Sequence, residues 1–194
     1  MKKILFVFTA FVTLTASTSL NTIWKNDAPH SQLAFTVKHL GIADVSGVFN
    51  DFDVTVNSAK SDFSDAVFEL NVKVASIDTR VDTRNGHLKS ADFFDVEKYP
   101  SMHFKSTSIK KSGENKYKLT GDLTLHGFTK QITMDLEYRG TVENPMSKKP
   151  TVGFQVTGVV KRSDFNLGSG FPPPMISDEV RIKADGEFVQ IIVD

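Results

Sequence analysis

The sequence predicts an all-β protein, folded as a sandwich or as a closed antiparallel barrel. Three observations carry that prediction. Eight or more segments within the 194 residues alternate apolar and polar side chains with a period of two, as a strand with one buried face does. Turn-forming residues separate these segments. No amphipathic helix is left to cover an outer apolar surface, so the apolar faces have to meet each other inside.

The strands follow in chain order. Residues 33–39 form the first, and residues 48–56 the second through Val48, Phe52, Val54 and Val56. Residues 66–77 alternate most clearly: Ala66, Phe68, Leu70, Val72 and Val74 share one face, and Glu69, Asn71 and Lys73 the other. Residues 82–94, DTRNGHLKSADFF, break the pattern and predict a short helix with Leu88, Phe93 and Phe94 turned inward. Residues 101–110 and 116–125 read as a hairpin joined through Ser112-Gly113-Glu114-Asn115. In 131–139, Ile132, Met134, Leu136 and Tyr138 oppose polar neighbours, and in 151–161 Val152, Phe154, Val156 and Val160 share a face. Residues 168–175, GSGFPPPM, hold three consecutive prolines and make a stiff loop. Residues 178–184 and 188–193 are the last two strands.

A barrel has no exposed sheet edge, and with about eight strands its interior holds side chains or one small ligand. Forty per cent hydrophobic and 24% charged residues is ordinary globular composition. The 23 basic and 23 acidic residues cancel, which argues against a general nucleic-acid binder. The absence of cysteine excludes disulfides, thiolate metal sites and a cysteine nucleophile. Sixteen of the aromatic residues are Phe, which brings apolar area without a polar handle.

Residues 1–20, MKKILFVFTAFVTLTASTSL, read as a cleaved export signal: a basic start at Lys2 and Lys3, an apolar run from Ile4 to Leu14, then small residues. The run is too short to span a bilayer, which takes about 20 apolar residues. A mature domain of residues 21–194 in the periplasm or outside the cell is the expectation.

The five histidines, His30, His39, His87, His103 and His126, show no metal-ligand spacing. His30-Ser31 are neighbours in sequence without an orienting third group, and Gly168-Ser169-Gly170 lacks the spacing of a nucleophile elbow. Asp78, Asp82, Asp92, Asp95 and Glu97 read as ordinary acidic surface, and no phosphate-binding glycine loop is present. The expectation is therefore no catalytic residue, no metal and no cofactor, with His39, His87 and His126 in structural roles and Asp78 paired with Arg84 beside the helix.

Several stretches together resemble the YceI-like family of exported, lipocalin-like polyisoprenoid-binding proteins. His30-Ser31 leads to Phe35 and Val37-Lys38-His39-Leu40-Gly41. His87-Leu88-Lys89-Ser90-Ala91-Asp92-Phe93-Phe94-Asp95 precedes Tyr99-Pro100. Gly121-Asp122-Leu123-Thr124-Leu125-His126-Gly127 follows, and Arg162, Asp164 and Phe165 come before Asp178. The resemblance spans about residues 24–193. Two departures stand out: Asn166, where a glycine often follows the Asp-Phe pair, and the proline-rich loop.

The resemblance implies an extended antiparallel, lipocalin-like β-barrel with a short helix inserted near residues 84–94. It implies an elongated apolar cavity and an isoprenoid ligand, a quinone or polyprenyl phosphate. Inward positions of the alternating strands then give the expected lining: Phe35, Val37, Phe52, Val54, Phe68, Leu70, Val72, Ile132, Met134, Leu136, Phe154 and Val156. The expected function is to bind a long-chain lipid for transport, storage or sequestration. An enzyme acting on a lipidic substrate and a ligand-free envelope protein are the alternatives. Transient membrane contact and a homodimer are compatible with the sequence.

Overall fold

The alternating segments pair into one antiparallel sheet of ten strands in a computed structural model, which describes residues 21–191. In chain order they are β1 (Thr22–His39), β2 (Ala43–Phe49), β3 (Phe52–Ser58), β4 (Val67–Lys73) and β5 (Ile77–Asp78), then helix α1 (Asp82–Lys89), then β6 (Ser101–Gly113), β7 (Lys116–Leu125), β8 (Phe128–Glu143), β9 (Pro150–Lys161) and β10 (Glu179–Ile191). The sheet runs β10-β9-β8-β7-β6-β4-β3-β1, and β10 pairs back onto β1. Those eight strands close a barrel. The C-terminal half of β1 also pairs with β2, to which β5 adds a two-residue rung.

Four expectations about elements are corrected. The alternating run 66–77 is strand only as far as Lys73; Val74–Ser76 form a 3-10 turn, and Ile77–Asp78 belong to β5. Residues 48–56 are two strands, split at Asn50-Asp51. Gly47 and Phe49 are buried in β2, whereas Val56 and the half-buried Phe52 and Val54 continue the inward row in β3. The two-residue turn changes which parity faces inward, and a strand cannot do that without a break. Residues 178–184 and 188–193 belong to one strand, β10, which continues through Gly186. The helix ends at Lys89, where Ser90 turns the chain and its hydroxyl bonds His87 O at 2.8 Å. Residues 1–20, the expected export signal, lie outside the described residues, as do 192 and 193. Among the described residues no helix is long and apolar enough to cross a membrane.

The strand termini divide the barrel into two ends. At one lie α1, the 90–100 segment and the 162–178 connection. At the other lie the β6–β7 and β8–β9 hairpins and the 59–66 connection between β3 and β4. That second end is packed solid with aromatic side chains: Phe63 meets Trp24 at 5.7 Å, Tyr138 at 5.1 Å and Phe154 at 4.9 Å between ring centroids. Tyr117 and Val56 are fully buried there, and Val152 has no exposed surface at all.

Candidate functional site

Above the aromatic floor the barrel is not filled. A cavity of about 510 Å³ lies between the strands and the capped end, and its walls are almost entirely carbon. Phe35 and Val37 of β1, Phe52 and Val54 of β3, and Phe68 and Leu70 of β4 line one side. Ile132 and Met134 of β8 and Phe154 and Val156 of β9 line the other. Val72 and Leu136, the remaining two expected positions, are 2% exposed and do not reach the cavity. Val72 is clamped between Phe52 and Met102, and Leu136 between Tyr117 and Val156.

Glycines shape the walls. An added Cβ at Gly158 would meet Met134 Sδ at 2.4 Å, and one at Gly121 would meet the Phe104 ring at 2.5 Å. Long side chains therefore lie flat across their neighbours' glycines instead of filling the middle.

The wall has lining that sequence alternation did not single out. β10 contributes Val180, Ile182, Ala184 and Phe188; β6 and β7 contribute Met102, Phe104, Leu119, Leu123 and Leu125. The cap adds Leu88, Phe93, Phe94, Phe171 and Met175. The β10 and β7 residues carry the same period-of-two signal as the expected set. Phe171 and Met175 come from a loop and carry no periodic signal.

The cap is fastened by polar side chains. Arg162 is 6% exposed and spends all five guanidinium N–H groups on backbone carbonyls. Nε donates to Ser177 O at 3.1 Å, Nη1 to Leu167 O at 3.0 Å and Gly168 O at 2.7 Å, and Nη2 to Ile176 O at 3.0 Å and to Phe171 O. The 162–178 connection thus wraps around one charged group. From it Phe171 stacks on Phe93 at 4.8 Å with 19° between the planes, and His87 sets its ring edge-on to both. Gly168 has φ +62, and a Cβ there would meet the Phe93 ring at 2.6 Å. Glycine satisfies both demands.

Beside the cap, the expected Asp78–Arg84 pair does not form. Arg84 donates from Nε to Thr79 Oγ1 and from Nη2 to Thr79 O, both at 2.8 Å. Asp78 accepts from Arg80 N at 2.8 Å and Asn85 Nδ2 at 3.0 Å. These two bonds hold its carboxyl below the usual aspartate range. The helix is therefore tied down through Thr79, which is 2% exposed, rather than through an ion pair.

The five histidines occupy five different settings. His39 lines the cavity. His87 lies on its rim with Nε2 3.1 Å from Asp92 Oδ2. His126 Nδ1 is 3.0 Å from Phe165 O, and His103 Nδ1 is 2.7 Å from Asn71 Oδ1. His30 lies on the outer surface, where residues 27–30 bulge out of β1 opposite Glu187. Its Nδ1 is 2.7 Å from Asp27 Oδ2, and that hydrogen bond, with the charges of Asp27 and Glu187, raises its pKa above the ordinary imidazole value. Asp27, His30 and Glu187 bring their ligand atoms within 4.8 Å of one another, and among the described residues they are the group able to offer three donors to a metal ion.

Comparison with known proteins places this geometry. A family model of the YceI-like domain matches residues 24–188. The chain belongs to the YceI-like family. A UPF0312 protein of Photorhabdus laumondii is 36% identical to this YceI-like chain over 189 residues, covering 96% of it and 97% of the relative. A UPF0312 protein of Staphylococcus aureus is 35% identical over 166 residues, covering 84% and 94%. Among solved structures, the YceI protein of Campylobacter jejuni is 32% identical with a TM-score of 0.72, over 80% of this chain and 90% of that one. BcnA of Burkholderia cenocepacia is 26% identical with a TM-score of 0.75, over 84% and 98%. A polyisoprenoid binding domain from Saccharophagus degradans shares the fold at 16% identity and a TM-score of 0.66, over 87% and 98%.

Both departures from the YceI-like pattern fall in the cap. Asn166 adopts φ 51, the left-handed region that glycine, and after it asparagine, occupies at least cost. The proline-rich stretch carries Phe171 and Met175, so it forms part of the cavity wall in this YceI-like chain.

Proposed function

We propose that this protein binds a long-chain apolar lipid, an isoprenoid such as a quinone or polyprenyl phosphate, inside the barrel, and carries or sequesters it outside the cytoplasm. The observation that carries the reading is the carbon-walled cavity of about 510 Å³ in a barrel otherwise packed tightly. A void of that size lined by apolar groups forgoes contacts that side chains would otherwise make. An apolar guest restores them and gains roughly 25 cal/mol for each Å² it removes from water. The polyisoprenoid binding domain from Saccharophagus degradans, which shares the fold, supports an isoprenoid as the guest. The tripartite pattern of residues 1–20 supports export. In this reading the protein is a binder, and the cavity groups Arg84 and Arg162 serve to fasten the cap.

The test is to produce the exported protein, purify it without detergent, extract it with organic solvent and identify the extract by mass spectrometry. The expected result is one prenyl lipid in near-stoichiometric amount. A fatty acid or amide keeps the lipid-binding reading and removes the isoprenoid. An empty extract, repeated after incubation with membrane lipids, overturns lipid binding.

A further inference from the structure

We propose that Asp27, His30 and Glu187 form a binding site for a divalent transition-metal ion such as zinc, which clips the first strand of the barrel to the last. The inference does not depend on the lipid-binding reading, because none of the three residues lines the cavity.

The site is made by an interruption in the seam. β1 and β10 pair on both sides of it, Asn26 with Phe188 and Ser31 with Gly186. Between those rungs residues 27–30 of β1 face a single residue of β10, Glu187. The surplus chain bulges outward and carries Asp27 and His30 to Glu187. The three donor atoms lie within 4.8 Å of one another, and His30 Nδ1 is 2.7 Å from Asp27 Oδ2. A tetrahedral ion with bonds of about 2.0–2.1 Å holds its donors about 3.3 Å apart. The spacings here bracket that value, so small side-chain rotations complete the site. The His30 and Asp27 side chains are 61% and 33% exposed and have room to make them.

Charge argues for a cation. Two carboxylates meet here, and among the described residues neither pairs with a lysine or arginine. Asp185, on the same strand as Glu187, takes both Arg139 and Lys183. A protonated imidazole returns one positive charge to the group, whereas a divalent ion returns two and ligates all three side chains. The donor set selects the ion: imidazole suits zinc, copper and nickel, while calcium and magnesium take oxygen ligands. This revises the expectation of no metal. Histidine spacing carried no signal, because the third donor arrives from the far end of the chain. Asn26, Ser31, Gly186 and Phe188 line the cavity, so the ion braces its wall from outside.

The experiment titrates zinc chloride into the exported protein, stripped with a chelator and desalted into a non-coordinating buffer, by isothermal calorimetry. The expected result is a single equivalent bound, with a melting point that rises in excess zinc. His30→Ala and Glu187→Gln should each weaken binding by at least about tenfold, the cost of losing even an outer partner of a metal ligand, and should cancel that rise. His103→Ala removes an imidazole held by Asn71 elsewhere on the barrel and should leave both readouts unchanged. No zinc binding by the wild-type chain overturns the site. Undiminished binding in either His30→Ala or Glu187→Gln overturns the three-donor assignment, as does an equal loss in His103→Ala. Calcium chloride binding more tightly than zinc overturns the choice of ion.

Discussion

Arg162 brings a guanidinium into the protein interior, and among the described residues no carboxylate forms an ion pair with it. Five carbonyl dipoles converge on it instead. Removing the side chain strands those carbonyls, and each buried acceptor left unpaired costs about 1–3 kcal/mol. Arg162→Ala is expected to lower stability by at least about 3 kcal/mol in chemical denaturation. It should also concentrate protease cleavage within residues 166–177, and cleavage spread evenly over the surface would contradict that. Arg162→Lys should recover little, because an ammonium offers three donors from one point where the guanidinium offers five in a plane. Arg162 belongs to the stretches that carry the family resemblance, but its role was not legible: its partners are backbone atoms of a loop, invisible to any count of side-chain types. Phe63 was hidden for a related reason, since it stands outside every alternating run. Val72 and Leu136 show the opposite problem. They share the phase of Leu70 and Met134, yet their registered neighbours Phe52, Met102 and Val156 line the cavity while they do not. Alternation tells which way a side chain points and says nothing of whether its neighbours cover it.

Elements that look irregular carry much of the order. Where β1 leaves β3 at its bulge, Asn26 Oδ1 accepts Val54 N at 2.7 Å in place of a strand. Where β4 outruns its pairing with β6, Ser106 Oγ accepts Phe68 N at 2.9 Å. The 59–66 connection is organised by Asp65. Burial pushes its carboxyl up, but the bonds from Ser58, Ala59 and Lys60 outweigh that and hold it below the ordinary aspartate value. A depressed carboxyl stabilises the fold above its unfolded pKa of about 3.9 and stops doing so as pH falls through its own lower value. Asp65→Ala should therefore lower the melting point near neutrality, by an amount equivalent to about 1–3 kcal/mol. The gap to wild type should close as thermal melts are taken into strongly acid buffer, and a gap that persists there would count against the role. The strands themselves were readable because each has one wet face. The split between β2 and β3 was not, because two residues of turn leave the local composition unchanged while reversing its phase. The single β10 was concealed by Gly186, which reads as a terminator but gives room to Ser31, whose Oγ would lie 2.6 Å from an added Cβ.

Closure makes the molecule one cooperative unit. Every barrel strand has two partners, so no half of the sheet can come away with its own core intact. Trp24, the single tryptophan, lies in the aromatic floor, far along the barrel from α1. Its fluorescence and the far-ultraviolet circular dichroism should report the same denaturant midpoint, and separate midpoints would mean that the floor melts independently of the sheet. The fold class was legible at this scale because strand number and the lack of covering helices leave few architectures open. The size of the cavity was not, because it depends on glycines and flattened side chains at matching heights on neighbouring strands. The seam itself has a consequence in time. β1 is made first and β10 last, and each depends on the other across nearly the whole described chain. A ribosome or translocase delivers residues in order, so the first strand waits with one edge open until residues 179–191 arrive. Until then there is no enclosed interior, only a bent sheet with its greasy side exposed. The compartment comes into being in a single late event, and whatever it holds must be acquired afterwards.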